Sequence, residues 1–143
     1  MVTRGLTFSF RALGPALGCV ALLTACASPA PATVSVADLW QRPGEHALLD
    51  GLHNYENGAF EPAETNFRAA LRQGLQDRRD TAVAYKHLAF IACAFNRPVE
   101  CESSFRSAFA ADPAFRLSDA EIGHPVWGPV YRRVAASQPS PPR

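Results

Sequence analysis

The sequence predicts an all-α fold, built from two helical hairpins with capping helices at either end. Three observations lead there. First, the chain resembles itself at a shift of 38 residues, the distance from Gly58 to Asn96. The shift lays Gly51 on Ala89, Tyr55 on Cys93, Ala63 on Cys101, Phe67 on Phe105, Ala70 on Ala108 and Leu71 on Phe109. Second, the apolar or small residues in the later part of each copy recur at i, i+4, i+7 and i+8, which lines one face of a helix. Third, Gly58 and Asn96, residue types that tolerate a left-handed backbone, stand between the two arms of each copy. Pro62 and Pro98 follow them, where proline suits the first turn of a helix.

The N-terminal segment reads as a targeting element rather than part of the fold. Residues 1–11 carry Arg4 and Arg11 and no acid, and residues 12–24 are almost wholly apolar or small. That is the charge and length of a signal-peptide core, too short to span a bilayer comfortably. It ends in Leu23-Thr24-Ala25-Cys26, the form of a bacterial lipobox. Residues 1–25 are therefore expected to be a lipoprotein signal peptide, with Cys26 lipidated and residues 26–34 a tether. Lipid chains on one residue contribute about 0.8 kcal/mol per buried methylene, so several together anchor stably. Ala27, rather than an aspartate, follows the cysteine. Aspartate there is the usual inner-membrane retention signal, so the expected location is the outer membrane, lipid-anchored, with the domain facing the periplasm.

A helical domain is expected over 35–136. At its start, VSVADLWQ (34–41) can form a short capping helix carrying Leu39 and Trp40. The first hairpin (about 44–75) contains GLHNYENGAFEPAETNFRAAL, and the second (about 82–113) contains ALAFIACAFNRPVECESSFRSAF. In the second, Tyr85, Leu88, Ala89, Cys101, Phe105, Ala108 and Pro113 occupy the positions of the tetratricopeptide pattern; Gly51, Tyr55, Gly58, Phe60, Ala63, Phe67 and Ala70 do so in the first. The chain thus resembles tetratricopeptide (TPR) proteins, whose small residues sit where two helices approach closely. Its repeat exceeds the usual length of about 34 residues, so a longer inter-repeat loop or an extended helix is expected. Two repeats are fewer than a stack ordinarily requires, which makes the caps necessary. Residues 114–136 are read as the C-terminal cap: Ser118-Asp119-Ala120-Glu121 has capping-box spacing, and Trp127, Val130, Tyr131 and Val134 form a helical stripe. Proline-rich residues 137–143 read as a disordered tail.

Charge excludes one class of partner. With 14 basic and 13 acidic residues, and two of the basic ones in the signal, no basic surface for nucleic acid is expected. Cys93 and Cys101 fall near the end of one helix and the start of the next, where a tight turn brings side chains together. An oxidising envelope favours a structural disulfide over buried free thiols, and neither His87 nor His124 lies at a recognisable metal spacing. His46, His53, His87 and His124 converge on no nucleophile, although His53 or His124 could serve a hydrolase. Glu61, Glu64, Glu100 and Glu102 open the second helices of the hairpins, where carboxylates favour the positive end of the dipole. No enzyme activity, cofactor, metal or small-molecule substrate is expected.

Binding is the expected role. On the matched offsets, the first helices line a groove of Glu45, Leu48, Leu52, Tyr55, Glu56, Val83, Lys86 and Phe90, in which Leu48, Leu52, Tyr55 and Phe90 form an exposed row for a partner helix or peptide. The competing expectation is that the protein's own N-terminal helix or C-terminal segment fills that groove. Residues 85–131 also carry a more particular pattern: HLAF, the two cysteines around the arginine, DPAFRL, and GHPVWGPVY. On these motifs the chain resembles the TssQ-like TPR lipoproteins associated with bacterial type VI secretion systems. The resemblance implies a non-enzymatic accessory of the envelope, partnered by type VI components, and its shared cysteines fall on Cys93 and Cys101. A pilotin-like lipoprotein of another outer-membrane machine, such as a secretin or pilus, is the alternative. Within the same pattern, GHPVWGP (123–129) is read as a capping turn, with a docking surface the other possibility.

Overall fold

The computed structural model describes residues 42–138. The signal, Cys26, the tether, the helix expected at 34–41 and the end of the tail lie outside the described residues. Among the described residues the fold is all-helical: α1 (Pro43–Glu56), α2 (Phe60–Gln73), α3 (Arg78–Ala94), α4 (Pro98–Ala111), α5 (Asp119–Ile122) and α6 (Gly128–Ala136). Consecutive helices pack in pairs, α1 on α2 and α3 on α4, and α2 packs on α3. None of these helices is long and apolar enough to cross a membrane.

The 38-residue shift is carried into the helices. Helix α2 runs 60–73 and α4 runs 98–111, each offset by 38 residues. Gly58 (φ 74°) and Asn96 (φ 54°) both take the left-handed backbone that reverses the chain between paired helices. At matched positions Ala63 and Cys101, Phe67 and Phe105, and Ala70 and Ala108 are all fully buried. The small members let the helices approach; the phenyl rings fill the space that this leaves. Gly51 is one such point, since a Cβ there would meet the Phe67 ring at 2.8 Å.

The extra length lies at the start of α3. The shift from Pro43 would begin that helix at Thr81, but it begins at Arg78, after a four-residue connection (74–77). Asp77 accounts for the early start, because its carboxylate accepts a hydrogen bond from the Arg79 amide (2.8 Å) and caps the helix.

Helix α3 lies between two apolar clusters, which explains why it is buried on both flanks. Ala84, Leu88 and Ile91 join Ala47, Leu48, Ala63, Phe67 and Ala70 of the first hairpin. Ala82, Ala89, Phe90 and Ala92 join Cys101, Phe105, Ala108 and Phe109 of the second, together with Phe115, Leu117, Tyr131 and Val134. The DPAFRL segment is the return path. Buried Asp112 accepts the Ala114 amide (3.0 Å), which turns the chain so that Phe115 and Leu117 enter the core while Arg116 stays outside over the Phe109 ring. Tyr131 of α6 then stacks on Phe109 (5.7 Å), meets Phe105 edge-on (5.6 Å), and accepts the Leu117 amide at its hydroxyl (3.3 Å). Helix α5 carries the predicted capping box, with Ser118 and Glu121 satisfying each other's backbone amides.

Candidate functional site

The predicted groove is not an open row. Leu48 is only 5% exposed and Phe90 only 3%, so neither can be offered to a partner. Leu48 falls on the same face of α1 as Gly44, Ala47 and Gly51, which packs inward. Phe90 is covered by the C-terminal segment: Trp127 stacks on it with centroids 4.4 Å apart. On its other face Trp127 carries the His124 ring, and its indole N–H donates to the Glu121 carbonyl (2.9 Å). Lys86 is engaged as well, its ammonium 2.7 Å from the Glu121 carboxylate. The second hairpin's half of the groove is thus filled by residues 121–127 of the same chain. Leu52 and Tyr55 are half-buried, Val83 is half-buried against the first cluster, and Glu45 accepts the Gln76 amide (3.2 Å). Of the predicted groove residues, Glu56 alone is exposed.

Beneath this segment lies a buried histidine that sequence reading left among the unassigned four. His87 stacks on Phe67 (5.1 Å) and meets Tyr55 (4.9 Å) and Phe90 (5.9 Å) edge-on. Its Nδ1 sits 2.8 Å from the Val83 carbonyl, so Nδ1 carries the proton and donates it there. Burial pulls its pKa from 6.5 down to about 4; the Val83 contact opposes the shift, and nearby Lys86 adds to it. The ring is therefore neutral at physiological pH. Burial, and after it the Glu121 charge, raises the Tyr55 pKa, so the phenol stays protonated. His53 pairs with Asn57 (3.2 Å) on the exposed side of α1, far in sequence and in contacts from His124 on Trp127. The two histidines do not meet. No group of three or more His, Cys, Asp or Glu side chains among the described residues could hold a metal.

Cys93 and Cys101 are joined across the second hairpin, with Cα atoms 5.0 Å apart. That spacing lies inside the range that disulfides require. Cys101 is fully buried and Cys93 half-buried, so the bridge ties the end of α3 to the first turn of α4 from the core side.

Among the described residues, exposed large apolar side chains stand at Leu49 on α1, at Val126, and near the hairpin turns. Phe60 (37% exposed), Phe95 (54%) and Val99 (83%) stand there, with the two phenyl rings edge-on at 5.9 Å. The two rings border a cleft of about 330 Å³ lined by Phe60, Glu61, Glu64, Ile91, Phe95 and Arg97. The cleft is held in shape by charge. Arg97 binds Glu64 of the other hairpin (2.6 Å) and Glu100 of its own (2.7 Å), and Arg68 binds the same two carboxylates. Hydrogen bonds from Arg97, against some loss of hydration, draw the Glu64 pKa from 4.5 to about 2. Glu64 and Glu100 thus work as inter-hairpin ties, a role beyond the helix-dipole one expected of them. Glu102 behaves similarly, reaching Arg106 on α4 and Arg133 on α6. Phe60 was read from sequence only as a position of the tetratricopeptide pattern, and Phe95 was not assigned, because each stands beside a turn rather than on the periodic helix face. Aromatic residues immediately flanking left-handed turn positions were the available signal.

No known protein family, curated protein or solved structure matches the chain.

Proposed function

We propose that this chain is a lipid-anchored, TPR-like adaptor of the bacterial envelope, an assembly accessory of a type VI secretion system that binds a protein partner through its hairpin turns. One observation carries the binding role: Phe60 and Phe95 form an exposed aromatic pair that lines a formed cleft. Aromatic residues exposed together in this way are typical of interface anchors. The Gly58 turn lies at the C-terminal end of α1, about 20 Å from Pro43 along a helix of 14 residues. The finer fold reading is supported by the 38-residue offset, by the paired left-handed turn residues and by the matched buried positions. Residues 114–136 act as the cap in this reading, and the filled groove is the consequence of a stack only two hairpins long.

Photo-crosslinking amino acids placed at Phe60 and Phe95 in intact cells test the binding surface, with one at Glu56 on the former groove as comparison. Capture of a secretion-system component from the turns, but not from Glu56, is expected. Capture from Glu56 alone would move the partner back to the groove. Cys26→Ser tests the anchor: it is expected to abolish labelling with an alkynyl fatty acid and to release the protein from membranes. A protein that stays membrane-bound and labelled after that change would sink the lipobox reading. Its gene neighbourhood tests the machine, since a cluster without sheath and baseplate genes argues for the secretin or pilus alternative.

A further inference from the structure

A second cleft opens on the side of the molecule where α2 and α4 face each other without packing directly. Its volume is about 380 Å³, within the range of small-ligand sites. The floor is apolar, made of Leu71 of α2 and Leu88 of α3. The walls are polar and follow helical spacing. At the turn end, the two helices are tied by charge, because Arg68 of α2 meets Glu100 of α4. One turn further along α2, Arg72 lines the same cleft, but α4 presents Ser103, Ser104 and Ser107 there instead of an acid. Among the described residues, no hydrogen-bond or ion-pair partner exists for the side chains of Arg72, Tyr85, Ser104 or Ser107. A guanidinium and three hydroxyl groups therefore converge on an apolar floor with their hydrogen-bonding capacity unspent. With Arg68, Arg72 and Glu100 as its charged members, the lining carries an excess of positive charge.

We propose that this cleft binds a carboxylate carried on a short apolar stem, the carboxylate completing the pairing at Arg72 that α4 leaves without an acid. The guanidinium offers a carboxylate two parallel donors, the hydroxyl groups of Tyr85 and Ser107 supply further ones, and the stem rests on Leu71 and Leu88. Two sources share this chemistry: the C-terminal carboxylate of a peptide ending in an aliphatic residue, and a free branched-chain acid. The site is separate from the hairpin-turn patch, so it stands or falls independently of the adaptor reading.

The test is a titration of the isotope-labelled full chain in detergent micelles, followed by amide NMR shifts. The probes are isovalerate and the peptide acetyl-Ala-Ala-Leu, each compared with its own amide. Expected are shifts on the facing turns of α2 and α4 with one or both acids, and at least about tenfold weaker binding of the amides. Saturation by the peptide alone assigns the site to chain ends; saturation by isovalerate alone assigns it to free acids. Arg72→Gln, an exposed helix position, is expected to weaken binding about tenfold. Ser107→Glu supplies the missing carboxylate from α4 itself and is expected to abolish binding with melting temperature retained. The proposal is overturned if amides bind as well as acids, if both variants bind like the unaltered protein, or if neither acid shifts these residues at about 10 mM.

Discussion

Mild acid should loosen this domain through one residue. His87 is neutral when folded, with its pKa held near 4 by burial, whereas in the unfolded chain it titrates near 6.5. Between those values the unfolded chain binds a proton that the folded one does not. The stability is therefore fully present above pH 6.5 and drains away as pH falls toward 4. Each pH unit in that window removes about 1.4 kcal/mol, so a fall from 6.5 to about 4.5 removes roughly 2.5 kcal/mol. For a domain of this size that is a large part of the total. The groups facing the ring are Lys86, which disfavours the cation, and Glu121, which favours it. The glutamate pKa values that the fold lowers start from 4.5, so their changes lie largely beneath the histidine window, while burial raises that of Asp80 and so opposes the decline. Urea denaturation of the disulfide-intact protein across the window reads the effect, with His87→Gln as the control that cannot titrate. The substitution lowers stability at every pH but should flatten the slope. A decline in the native protein of less than about 0.5 kcal/mol, or an equal slope in the variant, would refute the argument.

Three other outcomes follow from the same packing. Reducing Cys93–Cys101, or replacing both cysteines with serine, should cost about 2.5 kcal/mol by loop-closure entropy and lower the melting temperature by roughly 10 °C; unchanged melting in calorimetry contradicts the bridge. Arg97→Ala should let the Glu64 pKa rise toward 4.5, removing about 1 kcal/mol of stability that is present above pH 4.5 and lost toward pH 2, and less at high salt. A direct Glu64 titration by NMR checks the shift. Trp127→Ala should cost about 2 kcal/mol and expose Phe90, read as faster amide exchange over 119–127 while α1 and α2 stay protected.

Much of the hairpin architecture was legible because each signal for it is local. Small and aromatic residues repeat at helical spacing, the chain reverses at Gly58 and Asn96, and Pro98 opens α4. The capping box at Ser118 needs only its own four residues. The proximity of Cys93 and Cys101 is equally local, since a helix end and the next helix start are neighbours across any short turn. Even the early start of α3 has a local cause in Asp77, although spacing alone could not choose between a longer loop and a longer helix.

The interaction surface was read less well, because exposure belongs to no single segment. Leu48 and Phe90 lie on helices whose pattern is clear, yet a helical face becomes groove or core only when its neighbours arrive. Trp127, far along the chain, decides this for Phe90. The Glu64–Arg97 tie, the burial of His87 between aromatic rings of three helices, and the cleft between α2 and α4 all join residues from different helices well apart in the chain. What the sequence by itself determined was where helices form and reverse, since backbone preference and side-chain period act within a few residues. Which residues meet solvent, and which charges find partners, only the tertiary structure decided, because burial and pairing are energies between segments brought together by the fold.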